Sequence, residues 1–275
     1  MNQSPYQTVS SPVGKLQGSR QCYKCASKEL KSRWDITGLP SSILPAFVDC
    51  NSPDGTTPRD ACSGACFTYI FDDPDSPLTD VLYVRGCHDQ MVGVVSDRMN
   101  SGGSSNGAYC EYDSSFSRPD SHGTMVSVKT LAEFCTDDNC NKRKSFPLNG
   151  ANDCTGQTYN STVDGQILNC YQCNKDNWNC NEGQCNKKYC SKAMIALEGG
   201  GYSIRKTCSN VNILGVDNAC SRADIVPGGG VAVTMKYTQC YCKDKQNCNG
   251  SPSFLSALSS LLVVAGAVGL ANATL

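Results

Sequence analysis

The sequence predicts an all-β, disulfide-rich protein built as two small modules in tandem, on three observations. Twenty of the 275 residues are cysteine, a density typical of chains stapled by disulfides because their cores are too small to stand alone. The cysteines fall into two ordered blocks that open and close alike: QCYKC at Cys22 to CTDDNCN ending at Asn141, and NCYQC at Cys170 to CYCKDKQNCN ending at Asn249. Such self-similarity marks an internal repeat. Within the blocks, short β-branched and aromatic runs alternate with Gly- and Pro-rich turns, and no helical period is evident.

Residues 1–21 (MNQSPYQTVSSPVGKLQGSRQ) form an N-terminal segment without the apolar run of about 7–15 residues that a signal peptide needs. An upstream start, a different first exon or unconventional passage would reconcile this with the features below. The first block, 22–141, is enlarged, with 24 residues between Cys25 and Cys50, including Trp34. Phe67–Phe71 and Val81–Arg85 flank the turn-rich Asp72-Asp-Pro-Asp-Ser-Pro77 and read as a hairpin. Residues 142–169 are rich in Asn, Gly, Ser and Thr and read as a linker. They carry Asn160-Ser161-Thr162, an acceptor triplet for N-glycosylation.

In the second block, 170–249, Lys192–Leu197 and Tyr202–Thr207 flank Glu198-Gly-Gly-Gly201, and Val231–Thr238 follows Pro227-Gly-Gly-Gly230 as an arm of a second hairpin. Residues 250–275 end in an uncharged stretch, Phe254–Leu275, preceded by small residues. Small residues, a short spacer and a terminal apolar tail form the signal for a glycosylphosphatidylinositol (GPI) anchor, with the tail removed. Gly250 is the expected attachment residue, with Asn249 and Ser251 as alternatives. A permanent transmembrane helix is the rival, since about 20 apolar residues suffice. No Lys or Arg follows, however, to hold a cytoplasmic end.

Charge and motifs narrow the function. With 24 Lys+Arg against 25 Asp+Glu and no basic block, a nucleic-acid partner is excluded. An intracellular zinc protein is the alternative that the Cys-x2-Cys pairs Cys22/Cys25 and Cys170/Cys173 raise. The later cysteines fall at irregular gaps (Cys190, Cys208, Cys220, Cys240), and neither His88 nor His122 stands in a metal-like pair. No catalytic motif appears, so neither an enzyme nor a cofactor or metal site is expected. Both histidines are expected on surface loops, and Asp72, Asp73 and Asp75 in an exposed turn rather than a calcium loop. Rigid hairpin tips suit recognition. The candidate contacts are Asp73, Pro74, Pro77 and Leu78 in the first block, and Glu198, Tyr202, Val226 and Pro227 in the second.

The second block's ten cysteines, Cys170, Cys173, Cys180, Cys185, Cys190, Cys208, Cys220, Cys240, Cys242 and Cys248, followed by Asn249, resemble the three-finger domain of the lymphocyte-antigen-six/urokinase-receptor superfamily, also seen in snake toxins. The resemblance implies the bridges Cys170–Cys190, Cys173–Cys180, Cys185–Cys208, Cys220–Cys240 and Cys242–Cys248. For the nine-cysteine first block it implies Cys22–Cys66, Cys25–Cys50, Cys62–Cys87 and Cys135–Cys140. Phe134 stands near the place of the family's eighth cysteine, which leaves Cys110 to pair with Cys154 of the linker; Cys110–Cys135 with Cys140–Cys154 is the other arrangement. The Arg85-Gly86-Cys87 of this block resembles nematode neuronal members linked to odour response. By this resemblance the chain is expected to be a GPI-anchored protein of the outer leaflet of the cell membrane. It would bind an extracellular or membrane protein partner, a receptor or ion channel, and modulate neuronal signalling.

Overall fold

The computed structural model describes residues 20–39, 44–76, 80–96, 109–120, 125–142, 166–175, 180–196, 202–225 and 235–250. In chain order the strands of the first half are β1 (Arg20–Tyr23), β2 (Cys25–Ala26), β3 (Ala46–Phe47), β4 (Arg59–Cys62), β5 (Cys66–Asp72) and β6 (Val81–Cys87). A five-residue helix, α1 (His88–Val92), separates these from β7 (Tyr109–Pro119) and β8 (Met125–Cys135). The second half holds β9 (Leu168–Tyr171), β10 (Cys173–Lys175), β11 (Gln184–Lys187), β12 (Tyr189–Ala196), β13 (Tyr202–Ser209), β14 (Ala219–Ile225) and β15 (Met235–Cys242). The described residues are all-β apart from α1 and short 3-10 turns.

The same topology occurs twice. The first large sheet has the order β3-β2-β6-β5-β8-β7 and the second β10-β13-β12-β15-β14. Without β3 the two orders coincide, strand for strand, and each half adds a two-stranded ribbon, β1-β4 or β9-β11. The extra strand lies in the enlarged first loop. There Trp34 is buried and packs edge-on against Phe47, with ring centroids 6.0 Å apart.

Nine disulfides join described residues: Cys22–Cys66, Cys25–Cys50, Cys62–Cys87, Cys135–Cys140, Cys170–Cys190, Cys173–Cys180, Cys185–Cys208, Cys220–Cys240 and Cys242–Cys248. They are the pairs that the resemblance implies. Each bridge constrains the unfolded chain and contributes about 2–4 kcal/mol, not additively. Cys135 is bonded to Cys140, which removes the arrangement that paired Cys135 with Cys110. Cys110 is itself disulfide-bonded, and Cys154 lies outside the described residues. One position is corrected. Opposite Cys110 in the ladder stands Glu133, just as Cys240 stands opposite Cys220, so Glu133 rather than Phe134 occupies the eighth-cysteine position. Phe134 is instead the counterpart of Tyr241, one residue before the cysteine that closes each terminal loop.

The strand registers place the disulfides at one end of each hairpin and the turns at the other. In β5/β6 the pairing runs from Cys66↔Cys87 to Asp72↔Val81, and in β12/β13 from Cys190↔Cys208 to Ala196↔Tyr202. At about 3.3 Å per residue, the β5/β6 turn lies about 20 Å from its disulfide.

Candidate functional site

Each half closes with the same asparagine clasp. Asn141 is fully buried; its Oδ1 accepts from the Tyr23 amide at 3.0 Å, and its Nδ2 donates to Tyr23 O at 2.9 Å and Phe67 O at 3.3 Å. Asn249, also fully buried, accepts from the Tyr171 amide at 3.1 Å and donates to Tyr171 O at 2.9 Å, Ser191 O at 3.0 Å and Thr207 O at 3.4 Å. Both clasps follow a left-handed asparagine, Asn139 (φ 55°) or Asn247 (φ 54°), a conformation that asparagine tolerates better than most residues. A side-chain amide satisfying both an N–H and a C=O stitches the chain end to the first strand like an extra ladder rung.

Arg85 is the second structural anchor of the first half. Its fully buried guanidinium donates from Nε to Cys50 O at 2.9 Å, from Nη1 to Thr68 Oγ1 at 3.2 Å and to Asn141 O, and from Nη2 to Asn51 O at 3.4 Å. Burial lowers its pKa to about 10, which leaves it charged at neutral pH. The Arg-Gly-Cys triplet is therefore built into the core, with Gly86 packed where an added Cβ would meet Met91 Sδ at 2.1 Å.

The acidic turn is corrected from exposed to braced. Asp73 accepts from Arg33 Nη1 at 2.9 Å and Nη2 at 2.5 Å, Asp75 accepts from Nη1 as well, and Asp73 is only 9% exposed. The enlarged first loop thus holds the β5/β6 turn, and the two carboxylates that a calcium loop would need are taken up by a guanidinium. Pro74 lies in this turn. Of the other tip residues, Tyr202 opens β13, while Pro77, Leu78, Glu198, Val226 and Pro227 lie outside the described residues, as do His122, Asn160 and Ser251.

His88 is also corrected. It is fully buried at the start of α1, with its ring 5.1 Å from Phe67 and 5.0 Å from Phe134, and its Nε2 lies 2.8 Å from Ile213 O. That contact belongs to a seam between the halves that sequence reasoning missed. One continuous apolar cluster contains Phe67, Val92, Val94, Tyr109 and Phe134 of the first half together with Tyr189, Val211, Ile213, Leu214, Ala219 and Tyr241 of the second. Tyr109 and Phe134 occupy the ladder positions that Ala219 and Tyr241 occupy in the repeat, so equivalent surfaces meet, as in an isologous dimer.

The polar part of the seam is built on two buried carboxylates. Glu111 Oε1 accepts from Tyr109 OH at 2.6 Å and Tyr189 OH at 2.7 Å, with Lys188 Nζ at 3.5 Å, and its Oε2 accepts from the Asn212 amide at 2.6 Å. Asp113 accepts from Lys187 Nζ at 2.7 and 2.9 Å and from the Asn210 amide at 2.8 Å. Both acids are 0% exposed. On the mirrored side of the seam Ser221 Oγ donates to Val92 O, and Ser96 Oγ donates to Gly215 O at 3.1 Å. Gly215 sits at φ 62°, and a Cβ there would come within 2.3 Å of Ser96 Oγ.

Two groupings of sulfur and carboxylate have metal-like spacing, Cys190/Cys242/Cys248 and Cys62/Cys87/Asp89. Every cysteine in them is in a disulfide, and metal ligation by cysteine uses the thiolate. Among the described residues no helix is long and apolar enough to cross a membrane. Compared with protein-family models, curated proteins and solved structures, the chain has no significant match to any of them.

Proposed function

We propose that the chain is a cell-surface binding protein, not an enzyme, built of two three-finger domains of the lymphocyte-antigen-six type and held on the outer leaflet by a GPI anchor. The observation that carries this reading is the twofold recurrence of one strand order around ordered disulfides, each copy closed by the same Cys-Asn clasp. Disulfides of this density belong to an oxidising compartment, and the apolar tail after Asn249 supplies the attachment signal. Attachment at Gly250 or Ser251 keeps the Gly250 N–H to Asn247 O bond of 2.9 Å, whereas attachment at Asn249 would delete Gly250. The functional surface is the set of hairpin turns far from the disulfides, carried on strands that the disulfides cross-link, so that binding a receptor or channel has less chain to order. Neuronal signalling is the role that the resemblance suggests.

The test is release from cells. The full chain, tagged in the linker and fused to a leader, is displayed on epithelial cells and treated with a phosphatidylinositol-specific phospholipase. Release of the tag into the medium is expected. Surface tag that resists release would replace the anchor by a transmembrane tail, and purified protein carrying stoichiometric zinc with free thiols would overturn the reading altogether.

A further inference from the structure

Besides Asn2-Gln3-Ser4, Asn160-Ser161-Thr162 and Asn272-Ala273-Thr274, the sequence has an acceptor triplet for N-glycosylation at Asn249-Gly250-Ser251, whose asparagine is the clasp residue. In that reaction a lipid-linked oligosaccharyl pyrophosphate gives up its sugar. The anomeric C–O bond breaks, a C–N bond forms to the asparagine Nδ2, and one amide proton leaves with the lipid pyrophosphate. The folded structure occupies this atom completely. Asn249 Nδ2 donates to carbonyls of three strands, Tyr171 in β9, Ser191 in β12 and Thr207 in β13, and the residue is 0% exposed. A sugar would replace one of the two Nδ2 protons and would have to fit where Nδ2 is packed against the carbonyls of Tyr171, Ser191 and Thr207, so the closed clasp leaves it no room. The equivalent Asn141 is followed by Lys142-Arg143 and offers no acceptor.

We propose that Asn249 is a latent glycosylation site that folding closes, so that the glycan and the clasp exclude one another. Modification there marks chains whose terminal Cys242–Cys248 loop has failed to close. This rests on passage through the secretory pathway, as in the function proposed above. Anchor attachment at Gly250 also ends the site's availability, because it removes Ser251.

The test uses the full chain with a fused leader and with its other acceptors removed (Asn2→Gln, Asn160→Gln, Asn272→Gln), in closed form and with the terminal loop opened by Cys242→Ser and Cys248→Ser. The closed chain is expected to run as a single band insensitive to peptide-N-glycosidase. The opened chain is expected to gain one glycan, which Ser251→Ala abolishes. A glycan on Asn249 of the closed surface chain would overturn the proposal. So would an opened chain that stays unmodified while its Asn160-restored version carries a glycan. Because the leader drives import whatever the tail does, failure of the anchor reading appears separately, as resistance to phospholipase with unchanged glycan bands.

Discussion

Glu111 offers the sharpest probe of the seam. Its carboxylate takes short hydrogen bonds from Tyr109, Tyr189 and the Asn212 amide, two of which cross between the halves. Hydrogen bonds to a charged acceptor contribute about 1.5–3 kcal/mol and neutral ones about 0.5–1.5 kcal/mol. Glu111→Gln keeps the shape, removes the charge and turns one acceptor oxygen into an NH2 donor. With the oxygen kept towards the two tyrosines, their bonds weaken by about 1–1.5 kcal/mol each, and the Asn212 amide loses a charged acceptor worth about 1.5–3 kcal/mol. The expected loss is about 3.5–6 kcal/mol, or roughly 7–24 °C in Tm for a chain of this size. Combining Glu111→Gln with Tyr189→Phe isolates the cross-seam part. The two effects should fall short of additivity by about 1 kcal/mol, whereas independent sites add to within about 0.3–0.5 kcal/mol. Thermal unfolding followed by near-UV circular dichroism measures all four proteins. Strict additivity, or a Glu111→Gln loss below about 0.5 kcal/mol, would show that the halves do not pack together through this carboxylate.

Two further outcomes follow from the clasp and from a buried amine. Asn141→Ala strands the Tyr23 amide and carbonyl and the Phe67 carbonyl, and should cost about 2–4 kcal/mol at about 1 kcal/mol per bond; denaturant unfolding with no change in midpoint would contradict this. Burial, reinforced by Lys192 directly across the ladder, lowers Lys206 from its ordinary 10.5 to about 8. The unfolded chain therefore binds the extra proton between these values. The penalty is fully present below about pH 8 and fades as pH rises towards 10.5. The stability difference between wild type and Lys206→Met should thus shift in favour of wild type from pH 8 to 10 and stay flat below pH 7, and a pH-independent difference in guanidinium denaturation would refute it.

Much of the fold was legible because cysteine order is a one-dimensional signal. The spacing of ten cysteines and a Cys-Asn ending survives any drift of the residues between them, and β5, β6, β12 and β13 lie on the runs that their alternating residues suggest. The β7/β8 hairpin was missed although Val126, Val128, Thr130, Ala132 and Phe134 alternate, because the facing strand reads Asp-Ser-Ser-Phe-Ser and looks like a loop. The seam left no local trace. Nothing in the sequence singles out Glu111 or Asp113, whose partners across the seam lie 74 to 101 positions away. The bracing of Asp73 and Asp75 by Arg33, across some 40 positions, is hidden for the same reason. Both are tertiary overrides of a correct local rule that charged residues stay in water.

The account stands on the cysteines, and non-reducing peptide mapping of the full chain from an oxidising host tests it most directly. Alkylation before digestion should label almost nothing. The linked peptides should include Cys22–Cys66, Cys135–Cys140, Cys170–Cys190 and Cys242–Cys248, the bonds that close corresponding loops in the two halves. Cysteines recovered mostly as alkylated thiols, or linked across the halves, would contradict the duplicated, disulfide-clasped fold and the surface role built on it.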